Sequence, residues 1–489
     1  AATIHWQMGD AYLQLGEFEQ AFTHYRHMVE AYARMGRKRL VADTLSKVDV
    51  GGRTALTVWR SIDGVVGSFM GKPVDATISH LIEARQEQPE IFDTFHVEKV
   101  RDALEKLRGP MLIRDVEAAF AQRAGAGDGT RILNVTFLPK RVGLDTTFFR
   151  KLTWPDAGER PFPSALDAMA VLGSKNAYQY VTAAQDEHWA KEYRVALDAL
   201  IAESLGKEKD PGYWSTDIYH SWLAVLATLA NSHEVDDASL MKFANSEAWK
   251  DRKLFSAVAG YTQLKHSAVL YNAQDMSAEC GGQMTFYALV EQPILPRPHG
   301  FVDPVPAFFD GLAVLADEVY TKLYGDKEGP LLWWYSSRDK INARKLAAEL
   351  ATIARHQIGG EALTDEQLEL IEFTGAALES MTLGIMGGDS IQLQGQGRAQ
   401  RGVALATDIH TNLERGQVLQ VAVGSVMDLY VAVPDGIAQT MTQGGIFSFY
   451  EFTHPMSDRL TDENWAKLMS SDDAPALPTW TKSFVEAGR

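Results

Sequence analysis

The sequence predicts a mainly α protein: a large helical body followed by a small C-terminal antiparallel β-sheet. Two rhythms along the 489 residues carry that prediction. Between about 53 and 385, apolar residues recur at spacings of three and four, the period of a helix with one buried stripe. After Gly397 the pattern turns to short runs rich in Val, Ile, Tyr and Phe, separated by turn residues, which is the signature of strands.

The helical pattern is clearest in "ALEKLRGPMLIRDVEAAFAQRA" (103–124), "ALDAMAVLG" (165–173), "YHSWLAVLATLA" (219–230) and "KLAAELATIARHQI" (345–358). "TDEQLELIEFTGAALESM" opens with Thr364 and Gln367 in capping-box spacing. The glycine-rich "RAGAGDGTR" (123–131) lacks the Lys-Ser/Thr of a phosphate loop and reads as a linker. The proline-rich "EQPILPRPHGFVDPVPAFF" (291–309) predicts an extended surface crossing before the next helix. In the C-terminal part, "VALATDIHT", "VLQVAVGS", "DLYVAVP" and "GGIFSFYEF" predict three to five strands, and Thr461 is placed to cap a final helix. The tail "SSDDAPALPTW" reads as loosely ordered.

The first residues follow a third pattern. Trp6, Gly9, Tyr12, Gly16, Ala21 and Tyr25 sit where a tetratricopeptide helix-turn-helix unit needs them. Small residues let two helices touch and aromatics fill the groove between them. The expected organisation is therefore a tetratricopeptide-like hairpin (1–52), a helical body (53–397), a β subdomain ending in a helix (398–468) and a tail (469–489). A single unit cannot bury its own face, so it stacks on the helical body or on a partner.

Composition excludes several functions. A formal net charge of −17 without a basic stripe argues against nucleic acid as a partner. One cysteine, Cys280, excludes an intramolecular disulfide and a cysteine-based zinc site. No run approaches the roughly 18 to 20 apolar residues of a transmembrane helix. The chain begins "AATIHWQMGD", without an initiator Met, and reads as a processed or trimmed product.

No Walker loop, His-Glu-x-x-His, Gly-x-Ser-x-Gly or Cys-x-x-Cys occurs. The candidates for chemistry are polar residues inside apolar segments. His266 lies near the edge of the buried face of "GYTQLKHSAVLYNAQ", as a core histidine or as a ligand. Asp408 and His410 alternate along "ATDIHTN", so a continuous strand would project both from one face. In "IFSFYEFTHPMSDRLTDENW", a strand running through Glu451 places Phe449 and Glu451 on one face, Tyr450 and Phe452 on the other. There His454, Asp458 and Arg459 form either a corner-locking ion-pair network or part of a site. Asp217 and His220, three apart, are a weaker pair because Asp217 also suits a cap. Trp333, Trp334 and Tyr335 form a cluster for a core or an interface.

"ERPFPSALDAMAVLGS", "GYTQLKHSAVLYNAQ", "HGFVDPVPAFF", "TDIHTNLERGQVLQVAVGSVMDLYVAVPDG" and "IFSFYEFTHPMSDRLTDENW", with "LTVWRSIDGVVGSFMGKPVD" upstream, resemble in order the motifs of the bacterial and archaeal family called domain of unknown function 3160. The resemblance spans about residues 56 to 468. It implies one mainly helical unit in a secreted or envelope-attached protein, and it supplies no reaction. Family members usually read His-Asp-Thr where this chain has His266, Ser267 and Ala268, so a carboxylate beside that histidine is missing.

The expected function is extracytoplasmic binding of a small ligand or protein partner, or service as a subunit of a larger assembly. The alternative is a hydrolase, metal-dependent or not. In it His266, Asp408, His410, Glu451, His454 and Arg459 would converge between the helical body and the sheet, with Glu451 as general base. The residues leave metal and cofactor open.

Overall fold

In the computed structural model the described residues are 49–50, 53–71, 73, 76–93, 97–108, 135–136, 141–183, 187–207, 210–231, 235, 241–270, 300–324, 333–335, 340–385, 404–435 and 438–485. The expected tetratricopeptide-like hairpin, the glycine-rich linker and Cys280 lie outside them. The chain divides into two compact units, Ala1–Gly143 and Leu144–Arg489.

In the first unit, helix α1 (Ala55–Met70) precedes α2 (Ile78–Glu87), α3 (Pro89–Asp93) and α4 (Val97–Arg108). Ala76, Ala84, Ile91, Ala103 and Leu104 form its core. Arg141 ties the unit together by donating to Asp63 Oδ1 at 2.6 Å and to the Gly71 carbonyl at 2.9 Å.

The second unit begins with α5 (Leu144–Lys151), α6 (Ala165–Val171), α7 (Lys175–Val181), α8 (Ala190–Lys207), α9 (Pro211–Trp214) and α10 (Ile218–Ala230). Its axis is α11 (Glu247–Leu270), followed by α12 (Pro306–Tyr324), α13 (Ala343–Gly359) and α14 (Asp365–Ile385). Leu254, Phe255, Ala257, Val258, Ala259 and Tyr261 of α11 are all buried, so this helix has no solvent face over that stretch. Around α13 and α14 a second core gathers Val302, Leu346, Ile353, Ala354, Leu370 and Ala377. Thr364 and Gln367 form the expected reciprocal cap, each backbone N–H donating to the other's side chain. Asp217 caps α10 by accepting from the His220 N–H at 2.9 Å. Trp333–Tyr335 form a short strand antiparallel to Lys340–Asn342.

Five longer strands complete the unit: β1 (Leu405–Asn412), β2 (Gln417–Val423), β3 (Val426–Asp435), β4 (Ala438–Phe447) and β5 (Tyr450–Pro455). They form two sheets. A three-stranded sheet has the order β5-β2-β1, and a separate ribbon pairs β3 with β4, both antiparallel. The expected continuous strand "GGIFSFYEF" is broken at Ser448–Phe449, where the chain leaves the ribbon for the sheet. Helix α15 (Asp462–Met469), capped by Thr461 as expected, covers one face of the sheet. Trp465 there is fully buried, stacks on Phe452 and donates its indole N–H to the Val423 carbonyl at 2.8 Å. The other face lies on α11, so segment 398–468 does not stand as a separate unit. The tail is also more ordered than its composition predicts: Trp480 stacks on Tyr180, and Ser483 donates to Asp251 at 2.6 Å.

Candidate functional site

The polar centre of the second unit is built on "RPFPSALD", residues 160–167. Ser164 caps α6, and Asp167 returns to accept the Ser164 N–H at 2.8 Å, which closes a capping box. The Asp167 carboxylate also accepts from Arg160 at 2.6 Å and from the Tyr193 hydroxyl at 2.6 Å. The guanidinium lies over the Tyr193 ring at 4.0 Å and donates to the Leu152 carbonyl. A buried charge pair persists only when its remaining hydrogen bonds are met, and here both partners are multiply bonded.

Three residues of the sheet grip this loop. Glu451 of β5 accepts the Ala165 N–H at 2.6 Å. Asn412 of β1 donates to the Pro161 carbonyl at 2.9 Å. The Phe162 ring meets His410 edge-on at 6.1 Å. Burial pushes the Glu451 carboxyl up to about 7, with the Asp167 charge adding to the rise and the Ala165, Ser164 and Arg160 groups opposing it. Burial, seconded by the Arg160 charge, pushes His410 down to about 4. The same guanidinium therefore acts on an acid shifted upward and an imidazole shifted downward.

The face shared by Glu451 and His410 corrects the sequence expectation. Asp408 pairs with Gln420, but the next paired residue is His410, opposite Leu419, so Ile409 is an extra residue in the strand. This β-bulge moves His410 out of the alternation, and Asp408 and His410 point to opposite faces. Asp408 belongs instead to a network with Arg459, whose guanidinium donates to it and to Thr411, and with Gln420, which donates at 2.8 Å.

The remaining candidates lie elsewhere. Nε2 of His266 donates to Asp462 Oδ2 at 2.8 Å, and Asp462 also accepts the Ala406 N–H at 3.0 Å. The carboxylate missing beside this histidine in the sequence is thus supplied from α15. His454 sits at the end of β5, 3.6 Å from Asp458. The six expected residues do not meet in one hollow. Glu451 and His410 share one centre, Asp408 and Arg459 a second, His266 a third and His454 a fourth. Among the described residues no group of three or more His, Cys, Asp or Glu is arranged to hold a metal ion. A cleft of about 290 Å³ among the described residues is lined by Lys151, Glu203, Lys207 and Tyr213, and by none of the six.

Sequence reasoning missed Arg160, Asp167 and Tyr193, although Ser164-x-x-Asp167 carries a cap signal. It also missed the role of Asp145, a fully buried carboxylate that accepts from Tyr219 at 2.7 Å, Tyr261 at 2.6 Å and Lys265 at 2.7 Å. Burial alone would raise the Asp145 pKa, but the Lys265 charge and these hydrogen bonds hold it below the usual carboxylate value. Polar residues three to four apart on an apolar helix, such as Tyr261 and Lys265, were the signal that could have found it.

The family described as Protein of unknown function (DUF3160) matches residues 17–481. The chain belongs to this family. The match spans both units, and the DUF3160 region includes all of the loop, sheet and ribbon described above. No curated protein and no solved structure matches the chain. No helix among the described residues is long and apolar enough to cross a membrane.

Proposed function

We propose that this DUF3160 protein is an extracytoplasmic binding protein that holds a protein partner, with the β3–β4 ribbon as its contact surface. One observation carries the reading. Along the ribbon, Met427, Leu429, Val431, Val433 and Ile446 turn inward, whereas Val426, Tyr430, Met441 and Phe447 stand on the opposite face, exposed by 52, 60, 65 and 38%. The pairing of Val426 with Phe447 and of Ala432 with Met441 puts all four on that one face. A contiguous apolar face rimmed by polar residues marks an interaction site more often than scattered exposed side chains do. The resemblance to secreted and envelope-attached members supports the location, and a tetratricopeptide-like start would suit the same role.

A photo-crosslinking side chain at position 430, against one at the equally exposed Val195 on α8, tests the reading in intact cells. Adducts at 430 alone support it. Equal adducts at both positions, or none, remove it. Separating cytoplasm from envelope fractions tests the location.

The opposed shifts of Glu451 and His410 favour a second reading, acid–base hydrolysis. An acid that titrates near neutrality beside a neutral imidazole is the division of labour that such sites use. Under this reading Glu451→Gln abolishes hydrolysis of the substrate, and the pH profile has a limb near 7. A profile without that limb rules it out.

A further inference from the structure

We infer that the ribbon receives an extended, cationic segment of another protein, added as a third strand so that its apolar side chains complete the exposed Val426–Tyr430–Met441–Phe447 face. This names the partner class of the proposed function and rests on that reading.

The charge pattern selects the partner. Residues 426–447 contain Asp428 and Asp435 and no Lys, Arg or His. Asp428 stands on the same face as Tyr430, and its carboxylate accepts a long hydrogen bond, 3.3 Å, from the Gln443 amide. A carboxylate among apolar side chains is matched by a cation that arrives with apolar neighbours. A second copy fits poorly, because each chain carries −17 and an identical face would set Asp428 against another carboxylate. An anionic bilayer is disfavoured for the same reason.

The backbone selects the conformation. Among the described residues the ribbon has only two strands, and none pairs with the outer edge of either. An edge offers N–H and C=O groups to an incoming strand, which gains hydrogen bonds while its alternating side chains reach one face. Gly444 and Gly445 of β4 leave the backbone uncovered there; both are exposed.

The test is isothermal titration of the full chain with a peptide of alternating valine and lysine, compared with its valine and glutamate counterpart. Any basic peptide is drawn to a chain of this charge, so the variants decide. Preferential binding of the lysine peptide, weakened about tenfold or more by Tyr430→Ser, supports the inference. Asp428→Lys should then shift preference toward the glutamate peptide. Tyr430 and Asp428 are exposed, so both variants should keep the parent melting temperature, which is checked alongside. Lysine-peptide binding that neither variant changes overturns the inference as general attraction. Equal binding of both peptides, lost in Tyr430→Ser, overturns the cationic class while leaving the ribbon an interface. A wild-type dimer in light scattering that Tyr430→Lys dissociates overturns the partner class in favour of a second copy. A monomer that binds neither peptide overturns the inference, and absence of crosslinks at 430 would then separately remove the partner reading itself.

Discussion

The sheet β5-β2-β1 and the ribbon β3–β4 are neighbours in sequence and similar in composition, yet they meet solvent differently. In the sheet, Val418, Val421, Ala422 and Val423 of β2 are all fully buried, because α11 covers one face and α15 the other. The ribbon buries Val433 and Ile446 inward and leaves its outer face bare. The difference lies in what each strand set is given to pack against. The sheet has the capped helix α15 and a loop whose polar atoms are taken up by Glu451, Asn412 and His410; the ribbon's outer face has no second layer among the described residues. Stability should therefore concentrate in the sheet and its seam, and recognition in the ribbon.

The largest effect should come from removing what locks the seam. Asp167→Asn keeps the shape of the side chain but leaves the Arg160 guanidinium buried without its counter-charge. Breaking one side of a buried pair costs about 3–5 kcal/mol. Trp465→Ala should cost a similar amount, about 3–5 kcal/mol, by opening a cavity between α15 and β2. Urea unfolding with a single transition measures both. A change below about 1 kcal/mol in either, closer to the cost of a surface substitution, would mean that the seam does not hold the sheet.

How much of this was legible in the sequence depended on the range of the interaction. The helices of the body, the caps at Thr364, Asp217 and Thr461, and the strand-rich C-terminal part are set by local period and local hydrogen bonds, and the residues announced them. What decides the site is not local. The bulge at Ile409 reverses the facing of His410, and alternation alone gives no sign of it. The partner of His266 lies on α15, far along the chain, and Glu451 meets Ala165 across the whole sheet-to-body junction. Such contacts arise from packing, which a single sequence does not specify.

The seam should also show itself through pH. Glu451 has an ordinary pKa of 4.5 and is raised to about 7 in the fold, so the folded state holds its proton more tightly. Its contribution is present below 4.5 and is lost as pH rises through 7. His410 moves the other way, from 6.5 to about 4, so its contribution is intact above 6.5 and is lost as pH falls through 4. Between these limits the two slopes oppose, and the wild type should show little pH dependence from this pair. Glu451→Gln should unmask His410, with urea midpoints climbing from pH 4 to 6.5. His410→Gln should unmask Glu451, with midpoints falling from pH 4.5 to 7. Slopes of the same sign in the two variants would show that the groups are not shifted in opposite directions.

The smallest effect on stability belongs to the ribbon, and its smallness sharpens the contrast with the seam. Tyr430 is 60% exposed, and Met441 is 65% exposed on the same face. Neither fills a cavity in the isolated chain, so Tyr430→Ser and Met441→Ser should each change unfolding free energy by only about 0.5 kcal/mol or less. The residual cost comes from weaker cross-strand packing and from serine's lower strand preference, not from lost burial. A face kept for a partner has this property: its apolar side chains can be removed with little penalty to the free protein. If Tyr430→Ser instead costs as much as Trp465→Ala, the outer face is covered within the chain itself, and the division between a stabilising sheet and a recognising ribbon fails.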